Sequence, residues 1–335
     1  MENIMSFIKN NQKEIILGSV LFFGVVLIKR KLRSNPQFEL IKNIRLNEKV
    51  AIITGANTGI GYETALDLAK RGATVILACR NMNESQKAAE KIKRQSGNSN
   101  VCIEKLDLAS FESIRNFCSK IMADYKKIDI LVNNAGIASC PKQVTVDGFD
   151  LQLQTNYLGH FLLTRLLLES LKQSNDCRVV NLTSKLYEKA SIRWNDINMS
   201  ENYSPMEMYT QSKLCLILFT NYMKDYLRQL GIGNIKAYSV SPGFVLTELS
   251  RYREKNLILK ILKFIFYPLI WYLLRTPRQG AECSIYCCVK PNLVEKEGFY
   301  FRNCEPTKLL PHVDNKNDEV RLWNLSENLL KECNV

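Results

Sequence analysis

Short apolar runs alternate with longer segments of helical periodicity along most of the chain. The runs are brief and mostly rich in β-branched residues, as in buried strands; they cover residues 49–54, 73–79, 101–106, 128–132, 178–182, 235–240 and, at the edge, 298–301. Strands that alternate with helices are typical of a parallel sheet with helices on both faces. The pattern therefore predicts a single, doubly wound α/β domain.

A glycine-rich turn follows the first predicted strand. Residues 55–61 read Gly-Ala-Asn-Thr-Gly-Ile-Gly, and residues 62–71 continue with helical periodicity. Glycines allow a tight turn and a close approach of the backbone, and the start of a helix offers free N–H groups to a phosphate. This order of strand, turn and helix predicts a Rossmann-type dinucleotide site. The glycines alone could mark only a flexible loop.

The end of the second predicted strand bears on the choice of cofactor. A site selective for NAD places Asp or Glu near this point, where the carboxylate binds the ribose 2′-hydroxyl. Here the strand ends without an acid, and Arg80 follows it. Because a guanidinium suits a 2′-phosphate, the sequence favours NADP. The alternative is a solvated arginine in a loop.

A serine, a tyrosine and a lysine form the candidate catalytic group. Tyr209 and Lys213 are one helical turn apart, so their side chains share a helix face, and Ser184 precedes them in the chain. A lysine ammonium beside the phenol is expected to lower the pKa of the phenol toward neutral pH. A serine hydroxyl can orient a substrate oxygen next to it. These groups suit reversible proton transfer to a carbonyl, with a hydride source as partner.

The spacing of the tyrosine and the lysine is weak evidence by itself. Two solvated residues on a helix surface would show it as well. Tyr286 and Lys290 repeat the spacing, but no serine precedes them at the matching distance and Pro291 follows at once. We interpret this second pair as a coincidence at the end of a helix.

Taken together, the motifs resemble the short-chain dehydrogenase/reductase family over about residues 47–325. They occur in the order and at the spacings of that family: Thr54-Gly55-x-x-x-Gly59-x-Gly61, Asn133-Asn134-Ala135-Gly136, Asn156, Ser184, Tyr209-x-x-x-Lys213 and Pro242-Gly243. Within the family the chain is similar to the membrane-bound, NADP-dependent retinol dehydrogenases, through residues 55–61, 78–80, 106–110 and 159–164. Tyr62 and Ser241 depart from the lysine and histidine of many relatives, which weakens any transfer of substrate preference.

The resemblance implies a role for each matching residue. Tyr209 would be the acid and base, Lys213 would tune it and hold the nicotinamide ribose, and Ser184 would position the carbonyl. Asn156 would hold a water in the proton relay; otherwise it would kink or cap a helix. The implied cofactor-binding residues are Thr54, Gly55, Ala56, Asn57, Thr58, Gly59, Ile60, Gly61, Arg80, Asp107, Leu108, Asn133, Ala135, Gly136, Tyr209, Lys213, Pro242, Gly243 and Thr247. Of these, Asp107 could instead cap the helix that begins near Ser110.

Composition argues against disulfides and a metal site. The 11 cysteines are odd in number and scattered, and no Cys-x-x-Cys pair occurs. Only His160 and His312 could supply imidazole ligands. We therefore expect reduced thiols and no zinc. No Pro-, Gly- or Ser-rich linker and no repeat divides the predicted domain.

An apolar run near the N-terminus predicts a membrane anchor. Residues 15–28 are uncharged, and residues 29–33 read Lys-Arg-Lys-Leu-Arg. The run is short for a hydrocarbon core of about 30 Å, but flanking lysines can snorkel and the endoplasmic reticulum bilayer is thinner. We expect residues 1–33 to anchor the protein in that membrane, with the catalytic domain in the cytosol by the positive-inside rule. A cleaved signal peptide is the alternative, although no small-residue cleavage site follows.

The other segments outside the core motifs are assigned as follows. Residues 34–46 are predicted to be a linker, and residues 326–335 a tail. Residues 257–274 are strongly apolar yet contain two lysines, which favours a helix at the membrane interface that also covers the substrate. A core helix and a second membrane span are the alternatives. The net charge of +13 is explained by attraction to anionic lipid and to a phosphorylated cofactor, since no nucleic-acid motif accompanies it.

These features lead to one functional hypothesis and two alternatives. We expect an NADP(H)-dependent oxidoreductase of apolar alcohols and aldehydes, with retinol and retinal as the favoured pair. A steroid or lipid-carbonyl dehydrogenase would use the same catalytic residues. A nucleotide-binding membrane scaffold without catalysis is disfavoured, because it need not keep Asn156, Ser184, Tyr209 and Lys213 together. Membrane lipid and an apolar small molecule are the expected partners, and a homodimer is left open.

Overall fold

The central element of the molecule is an eight-stranded sheet. The computed structural model describes Gly24 and residues 35–245, 274–291, 293 and 299–333. The strands are β1 (Val50–Thr54), β2 (Thr74–Cys79), β3 (Val101–Lys105), β4 (Ile130–Asn133), β5 (Cys177–Leu182), β6 (Ile235–Ser241), β7 (Tyr300–Arg302) and β8 (Glu305–Pro306). Their order is β3-β2-β1-β4-β5-β6-β7-β8, and all neighbours are parallel except β7 and β8. The predicted parallel sheet is confirmed, with β8 as an additional short strand.

Helices connect the strands and cover both faces of the sheet. They are α1 (Pro36–Glu39), α2 (Gly59–Lys70), α3 (Met82–Ser96), α4 (Phe111–Asp124), α5 (Leu151–Leu153), α6 (Gly159–Leu166), α7 (Leu168–Lys172), α8 (Pro205–Gln229), α9 (Pro277–Val289) and α10 (Lys316–Glu332). A π-helical turn (Gln154–Leu158) joins α5 to α6, and a 3₁₀-helix (Lys185–Lys189) follows β5.

The central strands are buried on both faces, which explains why they are apolar without alternation. Ile52 belongs to a core beneath α4, α6, α8 and α10, whereas its neighbour Ile53 belongs to a second core beneath α2, α3 and α9. Val179 and Val180 on β5 divide between the same two cores. Because β1 lies between β2 and β4, the direction of winding changes between β1 and β4. Open α/β sheets bind ligands outside the carboxyl ends of the strands at such a point.

The predicted linker, residues 34–46, is packed onto the domain where the structure describes it. The Ile41 side chain is fully buried. The guanidinium of Arg71 donates hydrogen bonds to the carbonyl oxygens of Ile41 and Ile44, and the Leu46 amide donates to the carbonyl of Arg71. The sequence of residues 34–46 did not predict this packing, because the partner residue Arg71 comes later in the chain.

The C-terminal helix α10 is also part of the domain and crosses the predicted boundary at residue 325. Its Trp323 is only 6% exposed, and the ring centroid lies 5.0 Å from that of Phe161 and 4.4 Å from that of Tyr226. The hydroxyl groups of Ser326 and Tyr157 are 2.6 Å apart, and Tyr157 lies in the π-helical turn. Helix α10 therefore braces the turn that carries Asn156.

Two predicted membrane segments lie outside the described residues. These are residues 15–28, apart from Gly24, and residues 257–273. In the part of the chain that the structure describes, no helix has both the length and the apolar character needed to cross a bilayer. The same part contains no cluster of three His, Cys, Asp or Glu side chains suited to a metal ion. All 11 cysteines are free thiols.

We predict that Trp323→Ala lowers the free energy of unfolding by about 3–5 kcal/mol, because it removes a buried indole from an aromatic cluster. The matched control is Asn324→Ala, an exposed neighbour on the same helix, which should change the free energy of unfolding by less than about 0.5 kcal/mol. Denaturant unfolding of both variants measures the difference. Equal stability of the two variants would show that α10 is only loosely attached.

Candidate active site

The end of β4 holds the glycine-rich turn in place. The Oγ1 atom of Thr54 accepts hydrogen bonds from the backbone amides of Asn134 and Ala135, each at 2.9 Å. The Asn134 side chain donates in return to the carbonyl oxygens of Thr54, at 2.7 Å, and Gly55, at 3.2 Å. Gly55 and Gly59 adopt φ values of 63° and 61°, which side chains disfavour.

The glycine-rich turn forms a cradle in which position 61 has no room for a side chain. A Cβ atom on Gly61 would clash with the Asn134 amide and lie 2.5 Å from the carbonyl oxygen of Gly55. Thr58 is the N-cap residue of α2, but its side chain makes no capping hydrogen bond. The Thr58 side chain thus does not occupy the amides of the first turn of α2. A pyrophosphate would fit there, because the N-terminal end of a helix carries free N–H groups and a partial positive charge.

The other residues of the predicted cradle lie around this turn. Ala56 is buried, whereas Asn57, Thr58 and Ile60 are partly or fully exposed. The Cys79 thiol lies at the end of β2 near the amides of residues 55–57, and burial raises the pKa of this thiol.

Arg80 follows β2 with an exposed side chain. The next residue, Asn81, is engaged as the N-cap of α3, where its side chain accepts a hydrogen bond from the Glu84 amide at 3.2 Å. Arg80 therefore directly follows the carboxyl end of β2, the position at which a dinucleotide site recognises the ribose.

The loop after β3 contains Asp107 and Leu108. The Asp107 carboxylate accepts a hydrogen bond from the Ala109 amide at 3.0 Å, whereas the side chain that caps α4 is that of Ser110. The capping role considered for Asp107 is therefore wrong. Leu108 is buried, and its carbonyl oxygen lies close to Gly159: a Cβ atom added to Gly159 would be 2.5 Å from this oxygen. The loop is thus fixed against the start of α6.

The three candidate catalytic side chains meet at the carboxyl end of β5. Pro205 and the N-cap Ser204 begin helix α8, which carries Tyr209 and Lys213 on one face. The Tyr209 hydroxyl lies close enough to Ser184 to interact with it, and the Ser184 Oγ accepts a hydrogen bond from the Leu186 amide at 3.2 Å.

The Nζ atom of Lys213 donates to the carbonyl oxygen of Leu182 at 2.8 Å, so the lysine is held at the end of the same strand. Both side chains are nearly closed to solvent, with 5% of Tyr209 and 4% of Lys213 exposed. Ser184, which is half-buried, completes a phenol, a hydroxyl and an amine within one small region.

Burial controls the protonation of this group. It raises the pKa of the Tyr209 phenol above its ordinary value, and the nearby Ser184 hydroxyl offsets part of this rise. Burial also lowers the pKa of the Lys213 ammonium to about 8. The predicted net lowering of the phenol pKa toward neutral pH is therefore wrong for this arrangement, because loss of hydration outweighs the effect of the lysine on the phenol.

Asn156 connects the turn after β4 to the catalytic helix. Its Oδ1 accepts from the Ile137 amide at 2.9 Å, and its Nδ2 donates to the Ile137 carbonyl at 3.0 Å and to the Ser212 hydroxyl at 2.9 Å. Ser212 lies between Tyr209 and Lys213. Asn156 also lies in the π-helical turn, and both N–H groups of its amide are used internally.

Gly136 leaves room for the side chains around it. A Cβ atom on Gly136 would lie 3.2 Å from Oδ1 of Asn156 and 3.4 Å from Nζ of Lys213. Ala135 packs against Gly55: a Cβ atom added to Gly55 would lie 3.0 Å from Cα and Cβ of Ala135. Both residues therefore lie between the cradle and the catalytic helix.

Asn133 does not face the cradle. Its side chain is fully buried and donates to Thr164 Oγ1 at 3.0 Å and to Asn181 Oδ1 at 2.7 Å. A direct side-chain contact with a cofactor is excluded by this orientation. The neighbouring Asn134 makes the hydrogen bonds that shape the cradle, whereas the sequence placed it only within the segment 133–136 expected to pass beneath the cofactor.

The Pro242–Gly243 turn lies beyond β6, with Gly243 at a φ of 78°. Arg275, which sequence analysis missed, approaches this turn: its guanidinium lies 3.5 Å from the Pro242 carbonyl oxygen and 2.6 Å from Oδ1 of Asn303. Thr247, the remaining predicted cofactor residue, lies outside the described residues.

His160 is a further residue that sequence analysis considered only as a metal ligand. It is fully buried and bonded to Thr54 and Asn156. Its position four residues after Asn156 was a usable signal, because that spacing places both residues on one helix face.

We predict that Gly61→Ala weakens dinucleotide binding about tenfold or more, because the new methyl group displaces the Asn134 amide from the turn. Gly233→Ala is the matched control: a Cβ atom at Gly233 meets nothing within 4 Å. Calorimetric titration with NADPH measures both variants. Normal affinity of Gly61→Ala would contradict the described packing of the turn.

Known proteins share this sequence and architecture. Residues 49–257 match the family model described as short chain dehydrogenase. Retinol dehydrogenase 11 of Mus musculus and retinol dehydrogenase 12 of Homo sapiens are each 42% identical over 86% of this chain and 88% of their own length. A solved structure, a putative uncharacterized protein from Mycobacterium Paratuberculosis, is 32% identical with a TM-score of 0.68, over 86% of this chain and 95% of that chain. The protein therefore belongs to the short-chain dehydrogenase family of oxidoreductases.

Proposed function

We propose that the protein interconverts an apolar alcohol and its aldehyde, with retinol and retinal as the favoured pair and NADP(H) as the cofactor. The observation that carries this proposal is the placement of the buried Tyr209 phenol next to Ser184, with Lys213 held at the end of β5. A buried phenol next to a second hydroxyl can bind a carbonyl oxygen and give it a proton. Family membership supplies the class of reaction.

The residues of the site would act as follows. Ser184 donates a hydrogen bond to the carbonyl oxygen of the aldehyde, and Tyr209 transfers its proton to that oxygen as the alcohol forms. In the reverse direction the Tyr209 phenolate accepts the proton of the alcohol. The nicotinamide, when bound, supplies or accepts the hydride. Lys213, held by the Leu182 carbonyl, is placed to bind the nicotinamide ribose and to stabilise the phenolate.

The raised phenol pKa favours the reductive direction at neutral pH. Burial keeps Tyr209 protonated, and a protonated phenol is the form that reduction needs. Oxidation needs the phenolate, whose fraction grows as the pH approaches the pKa. The buried site also excludes water from the proton transfer.

The residues around the cradle fit a nicotinamide dinucleotide. Gly61 and the first amides of α2 would hold the pyrophosphate, and Arg80 would pair with the 2′-phosphate of NADP. Asp107 and Leu108 would face the adenine. Pro242, Gly243 and Thr247 would contact the nicotinamide side.

The choice of an apolar substrate rests on similarity and on the membrane segments. The relatives that are 42% identical are named retinol dehydrogenases. We propose that residues 15–28 anchor the chain in the endoplasmic reticulum membrane and that residues 257–274 contact lipid near the substrate entrance. The +13 net charge supports attraction to an anionic membrane surface.

The direct test is a panel of retinoids, steroids and medium-chain aldehydes, each assayed with NADPH and NADH. We expect the highest kcat/KM with all-trans or cis retinal and NADPH. A steroid ketone turned over faster than every retinoid would replace the substrate proposal and leave the catalytic residues as described.

We predict that Tyr209→Phe lowers turnover in both directions by about 10²- to 10⁴-fold while NADPH binding persists, because the ring stays and only the hydroxyl is lost. In the wild-type protein, alcohol oxidation should rise between pH 7 and pH 9, because the phenol pKa is raised and the phenolate is scarce at pH 7. Aldehyde reduction should not rise over the same range. Paired pH–rate profiles check both expectations, and an oxidation rate that falls over this range would remove Tyr209 as the base.

We predict that Arg80→Ala weakens NADPH binding by about 1.5–3 kcal/mol, or about 10- to 150-fold, and leaves NADH binding nearly unchanged. The matched control is Arg94→Ala, which removes an exposed arginine of α3 and should affect neither cofactor selectively. Equilibrium titrations of both variants with both cofactors give the answer. Equal losses for NADPH and NADH in Arg80→Ala would place the selectivity elsewhere.

A further inference from the structure

His160 joins two parts of the site that are far apart in the sequence. Its Nε2 lies 2.9 Å from Oγ1 of Thr54, at the end of β1, and its Nδ1 lies 2.9 Å from the backbone carbonyl oxygen of Asn156. The ring has no exposed surface. Both ring nitrogens therefore have a protein partner.

The partners determine where the ring hydrogen lies. A carbonyl oxygen can only accept a hydrogen bond, so Nδ1 carries the hydrogen and donates it to Asn156. Burial lowers the pKa of His160 to about 3, so the ring is neutral at physiological pH. In a neutral ring the second nitrogen accepts, and the Thr54 hydroxyl must donate to Nε2.

This assignment completes the hydrogen bonds of Thr54. The oxygen accepts from the amides of Asn134 and Ala135, and its only hydrogen is given to His160. The other acceptor within reach, the Val132 carbonyl, is more distant at 3.4 Å. The imidazole thus fixes the orientation of the hydroxyl that holds the glycine-rich turn.

The same ring acts on the catalytic side through Asn156. The Asn156 side chain is bonded to Ile137 and to Ser212, and Ser212 lies on α8 between Tyr209 and Lys213. Contacts therefore run from the cradle through the His160 ring to the backbone of Asn156, and from the Asn156 side chain to the catalytic helix.

We propose that His160 is a positioning residue that couples the dinucleotide cradle to the catalytic helix. This inference rests on the proposed function of the site. The imidazole holds the Thr54 hydroxyl and the Asn156 carbonyl at the same time, as an acceptor on one side and a donor on the other. Binding at the cradle thus affects the placement of Tyr209 and Lys213.

Two substitutions separate the two hydrogen bonds. In asparagine the amide nitrogen is as far from Cβ as Nδ1 of histidine, so His160→Asn can keep the bond to Asn156 only. In glutamine the amide oxygen is as far from Cβ as Nε2, so His160→Gln can keep the bond to Thr54 only. His160→Leu removes both bonds and keeps an apolar side chain in the cavity.

The experiment uses the full chain and measures the NADPH dissociation constant, kcat for retinal at saturating NADPH, and the melting temperature. We expect His160→Leu to raise the dissociation constant and to lower kcat by about tenfold each. His160→Gln should restore cofactor affinity more than kcat, and His160→Asn should restore kcat more than affinity. Variants that lose only melting temperature, with both constants within about twofold of wild type, would overturn the proposal.

A measurement on the unmutated ring keeps the proposal testable if the variants do not fold. The chain contains only His160 and His312, and His312 is exposed, so His312→Gln assigns the ¹⁵N signals of the labelled protein. We expect His160 to be neutral with the hydrogen on Nδ1 between pH 5 and pH 9, and to shift when NADPH binds. A charged ring, a hydrogen on Nε2 or no response to NADPH would overturn the coupling. The NADPH dissociation constant and the ¹⁵N spectra can be measured without turnover. If retinal proved not to be a substrate, these two measurements would still test the role of His160.

Discussion

The hydroxyl group of Thr54 is the point at which the site is assembled. It accepts from two amides at the end of β4 and is bonded to His160 on α6, so β1, β4 and α6 meet at one oxygen. This oxygen is fully buried. A buried polar atom that loses its partners costs about 1–3 kcal/mol, so the three elements stabilise one another through it.

Around this point the polar side chains form connected networks between apolar layers. Asn156 and Ser212 link the turn after β4 to α8, and Asn133 links β4 to Asn181 on β5. Asn133 lies at the end of β4, which borders the point where the direction of winding changes. A buried network in which every polar group has a partner holds its side chains in a single arrangement. A site for proton transfer needs side chains that are held in this way.

Burial also determines the chemistry of the catalytic pair. It raises the phenol pKa of Tyr209 and lowers the ammonium pKa of Lys213 to about 8, so both groups favour their uncharged forms more than they would in water. Charge on the pair is therefore sensitive to what is bound beside it. The sequence motifs predicted Tyr209 and Lys213, but the pKa values of the two side chains depend on their burial in the folded domain.

The sequence by itself determined the order of the strands and helices, because apolar periodicity and glycine turns are local properties. It also predicted Ser184, Tyr209 and Lys213 as the candidate catalytic group, since their chemistry and spacing are visible in a single chain. Only the tertiary structure showed that Asn134 rather than Asn133 shapes the cradle, because the two amides differ only in the direction in which they leave β4. The partners of His160 and the packing of α10 were likewise decided by the fold. They join residues that are distant in the chain, and no local pattern records which distant groups become neighbours when the sheet forms.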